Sequence, residues 1–489
     1  PLVTASPTLT PGSTAATQPA LDPTPQREEP TPSPTAAPPT ATPTLEPLGP
    51  FAECPVDDSQ AVTPGGPLHV LLFNELGAWR WSDETQTTGP VPLPPDARSP
   101  LPSPDGDRFA YTLQPEEGVV ELWVMDGDGA NRRQLATVSI ADYLADSPEY
   151  VSDAVLSFHW LVDRELMAFY ITPILSAMGD VPQEPVTIAN ATSGESWSLA
   201  MEGDVDELIH HPEGAQFAAL SDDRVQIIDT LSGARLLDVS LSLHNYWYSA
   251  AFTPSGDRLV IFTEEGVAVI DTGSGEVQSA NLEYSPIGMG HYAFMPPVHW
   301  LRDGQSFVTL IASGDDATDV LAPNAEFTVW RVDTQSATVE ELHTYRGALP
   351  SVRIAPDAQY IAFWSQRLDN VRTLYLANLA SGEQVAYERL HRLEFLDWHP
   401  DSTRFTYWQF PERVPILGHL CQPPVALGDL SIPFAGAIYW LGPERFIAVE
   451  GVNRGEVSGP WQVRLRSLDG ENMLLHTVEG AAPQVRFGP

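Results

Sequence analysis

The sequence predicts an all-β ring, one large β-propeller of four-stranded blades. Three observations predict it. A strand–turn–strand phrase recurs along the chain. Most copies are followed by a third strand that ends in an Asp- and Gly-containing turn. The copies return every ~40–55 residues, a period that marks propeller blades. A single blade cannot bury both of its faces, so such units stack around an axis.

The clearest copies are Leu101–Leu113 (LPSPDGDRFAYTL), Phe252–Phe262 (FTPSGDRLVIF), Ile354–Trp364 (IAPDAQYIAFW) and Trp398–Trp408 (WHPDSTRFTYW). Weaker ones are Trp160–Tyr170, Ile209–Leu220, Trp300–Leu310 and Trp440–Val449. Pro presets φ for the corner, Asp or Ser bonds the local backbone, and Gly or Ala takes the tight position. An apolar β-forming run such as Leu259–Phe262 follows. The third strands include Leu122–Gly129, Val225–Gly233, Val267–Gly275 and Leu374–Gly382.

The start of the folded part supplies His69–Asn74, Ala78–Ser82 and Val91–Leu93 as strands, with no inner strand before them. Pro483–Phe487 (PQVRF) reads as an inner strand with nothing after it. Pairing the two ends closes the ring and removes both exposed edges. The literal count is eight complete repeats plus this split one. Pro411–Ser431, rich in Pro and Gly, is the weakest unit. The reading therefore settles on eight blades, with nine as the alternative.

The SPDG turn, the IAF-type strand and the VMDGDG-type turn resemble TolB-type propeller repeats, which also occur in prolyl-oligopeptidase-type enzymes. The resemblance covers roughly residues 68–489 and implies the fold. TolB itself carries an α/β domain before fewer blades, so none of its partners is carried over. The Gly-His and Trp-Asp pairs of strict WD repeats are absent.

Residues 1–50 are dominated by Pro, Thr and Ala and are expected to remain an extended, disordered stalk or linker. Residues 51–67 form a lead-in that contains Cys54, and 68–489 form the propeller. The formal net charge is −40, and all 25 basic residues are arginine. Such a chain is repelled by nucleic-acid phosphate and by anionic membranes. Without lysine there is no Schiff-base chemistry, no pyridoxal-phosphate site and no Walker-type phosphate loop. Cys54 and Cys421, the two cysteines, are read as one disulfide tying the lead-in to a late blade, in an oxidising compartment. The chain starts at Pro1, so any signal or anchor is expected upstream of it.

No Gly-x-Ser-x-Gly elbow, His-Glu-x-x-His motif or Cys/His metal spacing is present, so no catalytic residue is assigned and no cofactor is expected. Met125–Gly129 (MDGDG) lacks the later ligands of a calcium loop. Asp315, Asp316 and Asp319 are a weak calcium candidate. His210–His211 reads as a histidine pair in a repeat turn, and Asn190–Thr192 matches a glycosylation acceptor of little weight. Insertions at 139–154, 171–185, 281–297, 314–325 and 411–431 are where a propeller places function.

The strongest site signal is aromatic. His244, Asn245, Tyr246, Trp247 and Tyr248 precede one inner strand; His291, Tyr292 and Phe294 lie near the next; Tyr143 and Tyr150 flank an earlier one. Rings with polar tips on one rim suit sugar or peptide recognition. The expectation is a bacterial, secreted or surface-tethered propeller that is not an enzyme and acts as a protein-binding or self-assembling scaffold at the cell envelope. The alternatives are a carbohydrate or peptide receptor using the rim, and a hydrolase or lyase with acids in the channel.

Overall fold

The computed structural model describes residues 51, 69–74, 76–146, 151–161, 165–175, 186–199, 207–214, 216–221, 223–241, 249–263, 266–284, 287–289, 292–313, 322–366, 371–390, 393–409, 414–427, 437–442, 444–451 and 460–488. Among these residues it contains nine four-stranded antiparallel sheets, the larger of the two expected counts. The inner strands of blades one to eight are Arg98–Pro102, Val151–Trp160, Glu207–His210, Ala250–Phe252, His299–Trp300, Arg353–Ile354, Leu393–Trp398 and Ile438–Trp440. In each of these blades the next three strands in sequence follow outwards in order. The weak unit does complete a blade, because Val414–His419 and the short Val425–Ala426 supply its outer strands.

The ninth blade joins the two ends. Gln484–Gly488 pairs with His69–Asn74, in the register Leu72 to Val485 and Phe73 to Gln484. Its outermost strand is Thr87–Pro90 rather than the expected Val91–Leu93. Pro92 and Pro94 interrupt the later stretch, which has few backbone donors left for a ladder. Only the Val91 amide reaches back, to the Ala78 carbonyl at 2.9 Å.

Second and third strands are buried on both faces, because each blade is sandwiched between its neighbours. Leu259, Val260, Ile261 and Phe262 are all inaccessible to solvent. Ala218, Leu220, Val225 and Ile227 of blade three pack against Phe252, Leu259, Ile261 and Ile270 of blade four. Each such fully buried large side chain contributes roughly 1.5–3 kcal/mol over leaving it in water. Seam packing of this kind makes the ring cooperative.

The turns repeat as regularly as the strands. At the end of third strands, Asp229 Oδ1 accepts from the Ser232 amide and hydroxyl, and Asp271 Oδ1 from those of Ser274. Asp333 does the same with Ser336, while Asn190 and Asn378 cap their turns through backbone amides. Asn190 is thus a turn cap. These backbone donors hold the Asp271 and Asp333 carboxyls below the usual range. After the inner strand, Thr253 and Ser255 donate to Asp257, and Asp401 accepts from the Thr403 and Arg404 amides.

Candidate interaction surfaces

Antiparallel order within a blade places its first and third turns at one end and the remaining connections at the other. All inner strands share one direction around the axis, so the ring has two unlike faces. One carries the capped turns, such as 103–107, 253–257, 272–276 and 334–337. The other carries the connections between blades and those between second and third strands. The described strand ends that flank four of the five sequence insertions, 139–154, 171–185, 281–297 and 314–325, lie at this second face. The fifth, 411–431, begins there and then runs through the outer half of blade seven.

The described part of the insertion face shows what fills it. Ile140–Asp146 is a short α-helix between blades one and two. Ile287–Met289 and Tyr292–Phe294 form a hairpin between blades four and five. Leu349–Ser351 is a 3-10 turn between blades five and six. Tyr292 and Phe294 belong to the second strand of the hairpin. Tyr143 belongs to the helix, and its ring is buried against Ile140, Ala154 and Ile171. It fastens the helix to blade two and is not part of an open rim. Tyr150, His244, Asn245, Tyr246, Trp247, Tyr248, His291, Asp315, Asp316, Asp319 and Cys54 lie outside the described residues.

The turn face is organised by polar links across the seams. Trp160 Nε1 donates to the Leu101 carbonyl of the preceding blade at 3.1 Å, and Trp398 Nε1 to that of Arg353 at 3.0 Å. His399, fully buried, sits 2.9 Å through Nε2 from the Gly442 carbonyl of the next blade. Its Nδ1 accepts from the Asp401 amide at 3.1 Å and lies 3.0 Å from Asp401 Oδ2, the oxygen that accepts from Arg404 Nε at 2.6 Å. Burial opposes the Asp401 charge, yet these partners hold its carboxyl far below the usual range. Phe51 joins this region: its amide donates to the Leu420 carbonyl and its ring packs on Tyr360. Cys421, beside Leu420, packs against the same cluster and carries no free thiol.

The His210–His211 pair is divided by strand alternation. His210 ends the inner strand of blade three and stacks edge-on against His159 of blade two, ring centroids 4.0 Å apart. His211 turns the other way, against Phe252 and Gly256 of blade four. Desolvation lowers the His159 pKa to about 3 and that of His210 to about 4. His159 Nε2 is buried without a hydrogen-bond partner among the described residues. Sequence reading missed this contact, since the two rings are far apart in the chain. Asp126, in the calcium-like turn, lies 3.6 Å from Arg108 and accepts from Asn131 at 2.6 Å. Among the described residues no three His, Cys, Asp or Glu side chains gather closely enough to hold a metal.

A closed ring of four-stranded blades with two unlike faces defines the class: this is a β-propeller. No family model and no curated protein matches its sequence. Solved structures are similar in fold. Dipeptidyl peptidase 4 of Porphyromonas gingivalis is 11% identical, with 78% of this chain and 60% of that one covered and a TM-score of 0.47. The Cps50 (Swd1) β-propeller domain of Myceliophteria thermophila is 15% identical over 66% and 97%, with a TM-score of 0.32. TolB from Acinetobacter baumannii is 14% identical over 66% and 79%, with a TM-score of 0.27. At these values the likeness is one of fold and carries nothing about activity or partners.

Proposed function

We propose that this protein is a non-enzymatic scaffold that binds protein partners, or further copies of itself, through its insertion face. The observation that carries the reading is the division of labour between faces: the described strand ends flanking four of the five long insertions lie on one side of an otherwise regular ring. Variable loops on a rigid support are the usual location of recognition. The sequence of the Tyr292–Phe294 strand there is in keeping with the aromatic enrichment of protein interfaces. A bridge between Cys54 and Cys421 would fix the lead-in to blade seven, next to the Phe51 anchor, and fits a secreted or surface-attached bacterial protein.

The test is the native mass and morphology of the protein from its source, by light scattering with negative-stain imaging. The reading expects a complex or assembly that dissociates when Tyr292→Glu and Phe294→Glu are combined, with the melting temperature unchanged. A wild-type protein that is only ever a free monomer would overturn it.

A further inference from the structure

The turn face departs from its regular form between blades seven and eight. The outermost strand of blade seven, Val425–Ala426, is the shortest fourth strand among the described blades. Pro423 and Pro424 precede it and remove two backbone donors from the turn. So short a strand leaves part of the seam uncovered among the described residues, and a cleft of about 630 Å³ opens there. That volume lies within the range of small-molecule sites.

The cleft has an apolar side and a cationic side. Phe446 forms part of the apolar side, along with Leu427, Val425 and Leu468. Val425 is 60% exposed and Leu468 38%, an unusual display for residues of this size. The cationic side is Arg404, whose side chain is only 15% exposed. Its Nε is engaged by Asp401, while its two terminal nitrogens have no hydrogen-bond partner among the described residues. A guanidinium in a cavity lining, held through Nε alone, keeps terminal donors that can receive a carboxylate. Arg466, also lining the cleft, is paired with Glu450 at 2.8 Å. The acidic group on the wall, Glu471, lies 3.7 Å from Arg445.

We propose that this cleft binds a small carboxylate bearing an apolar group, the chemistry of the C-terminal residue of a peptide. The carboxylate meets the terminal nitrogens of Arg404, and the apolar group covers Val425, Leu427 and Leu468. The site lies on the turn face, is lined in part by the fifth insertion, and does not rest on the scaffold reading.

The test is calorimetric titration with N-acetyl-leucine, N-acetyl-leucinamide and hexanoate. The free acid is expected to bind and the amide to bind at least about tenfold more weakly, the loss of one charge-assisted interaction. Leu468→Glu, at an exposed position, is expected to abolish binding with the fold intact. Arg404→Gln is expected to remove the preference for acid over amide. N-acetyl-leucine binding more tightly than hexanoate identifies a peptide end as the source, and equal binding identifies a simple acid. Equal affinity for acid and amide, no saturable binding of either acid, or unchanged binding by Leu468→Glu would overturn the proposal.

Discussion

The two faces of the ring follow different rules. On the turn face the same solution recurs from blade to blade: a side-chain oxygen caps the corner, a Gly at positive φ takes the tight position, and seams are crossed by indole, imidazole or hydroxyl groups. Even where Gly is absent the backbone keeps the conformation, as at Ala358 and Ser402, with φ of 54° and 60°. On the insertion face one connection is a helix, another a hairpin and another a 3-10 turn. Repetition builds the ring, and departure from repetition marks where the molecule is free to recognise something else.

Mutations on the two faces and at the closure are expected to differ widely in effect. The largest effect is expected from deleting residues 482–489. This removes the inner strand of the ninth blade, exposing the edge of His69–Asn74 and part of the cluster around Val485. Calorimetry should show loss of the cooperative transition; an unchanged melt would contradict closure by the ends. Next is Gly256→Ala, on the turn face. A Cβ there would stand 1.7 Å from His211 Nε2, at a φ of +75°. Overpacking together with backbone strain predicts about 2–4 kcal/mol of destabilisation by chemical unfolding.

The His159–His210 contact sets a pH dependence. Both pKa values are lowered in the folded state, so these groups support stability fully above their unfolded value of about 6.5 and progressively less as the pH falls below it. The decline from His159 continues to about pH 3 and that from His210 to about pH 4. His159 alone is expected to contribute a slope of roughly 1 kcal/mol per pH unit. Melting temperature should fall between pH 6.5 and 4, and His159→Phe should flatten that part of the curve. Capped aspartates such as Asp271 act in a lower window, because their depressed folded pKa makes stability fall only as pH drops below about 3.8. The smallest effect is expected from Asp271→Ala, about 1 kcal/mol, since its hydrogen bonds are local and exposed.

Much of the ring was legible in the sequence because its signals are local. Pro–Asp–Gly corners, Asp–x–x–Ser caps and short apolar runs each specify their own backbone. The ring closure was legible because PQVRF has no partner of its own. Contacts between blades were not legible. His210 and His211 are adjacent in sequence, yet one faces blade two and the other blade four. Thr87–Pro90 (TTGP) has no apolar alternation, and it is a strand only because Gly77–Ser82 offers a ladder. The cleft beside Arg404 arises from what the short Val425–Ala426 strand fails to cover, and no motif announces it.

A photo-crosslinker scan in source cells tests directly whether the two faces have different roles. Asp142 and Asn324 report on the insertion face, and Ser274 and Gln335 on the turn face; all four are exposed. Crosslinked adducts of defined mass from Asp142 and Asn324, with none from Ser274 or Gln335, are the predicted result. Adducts from Ser274 and Gln335 alone, or equally from all four positions, would contradict it.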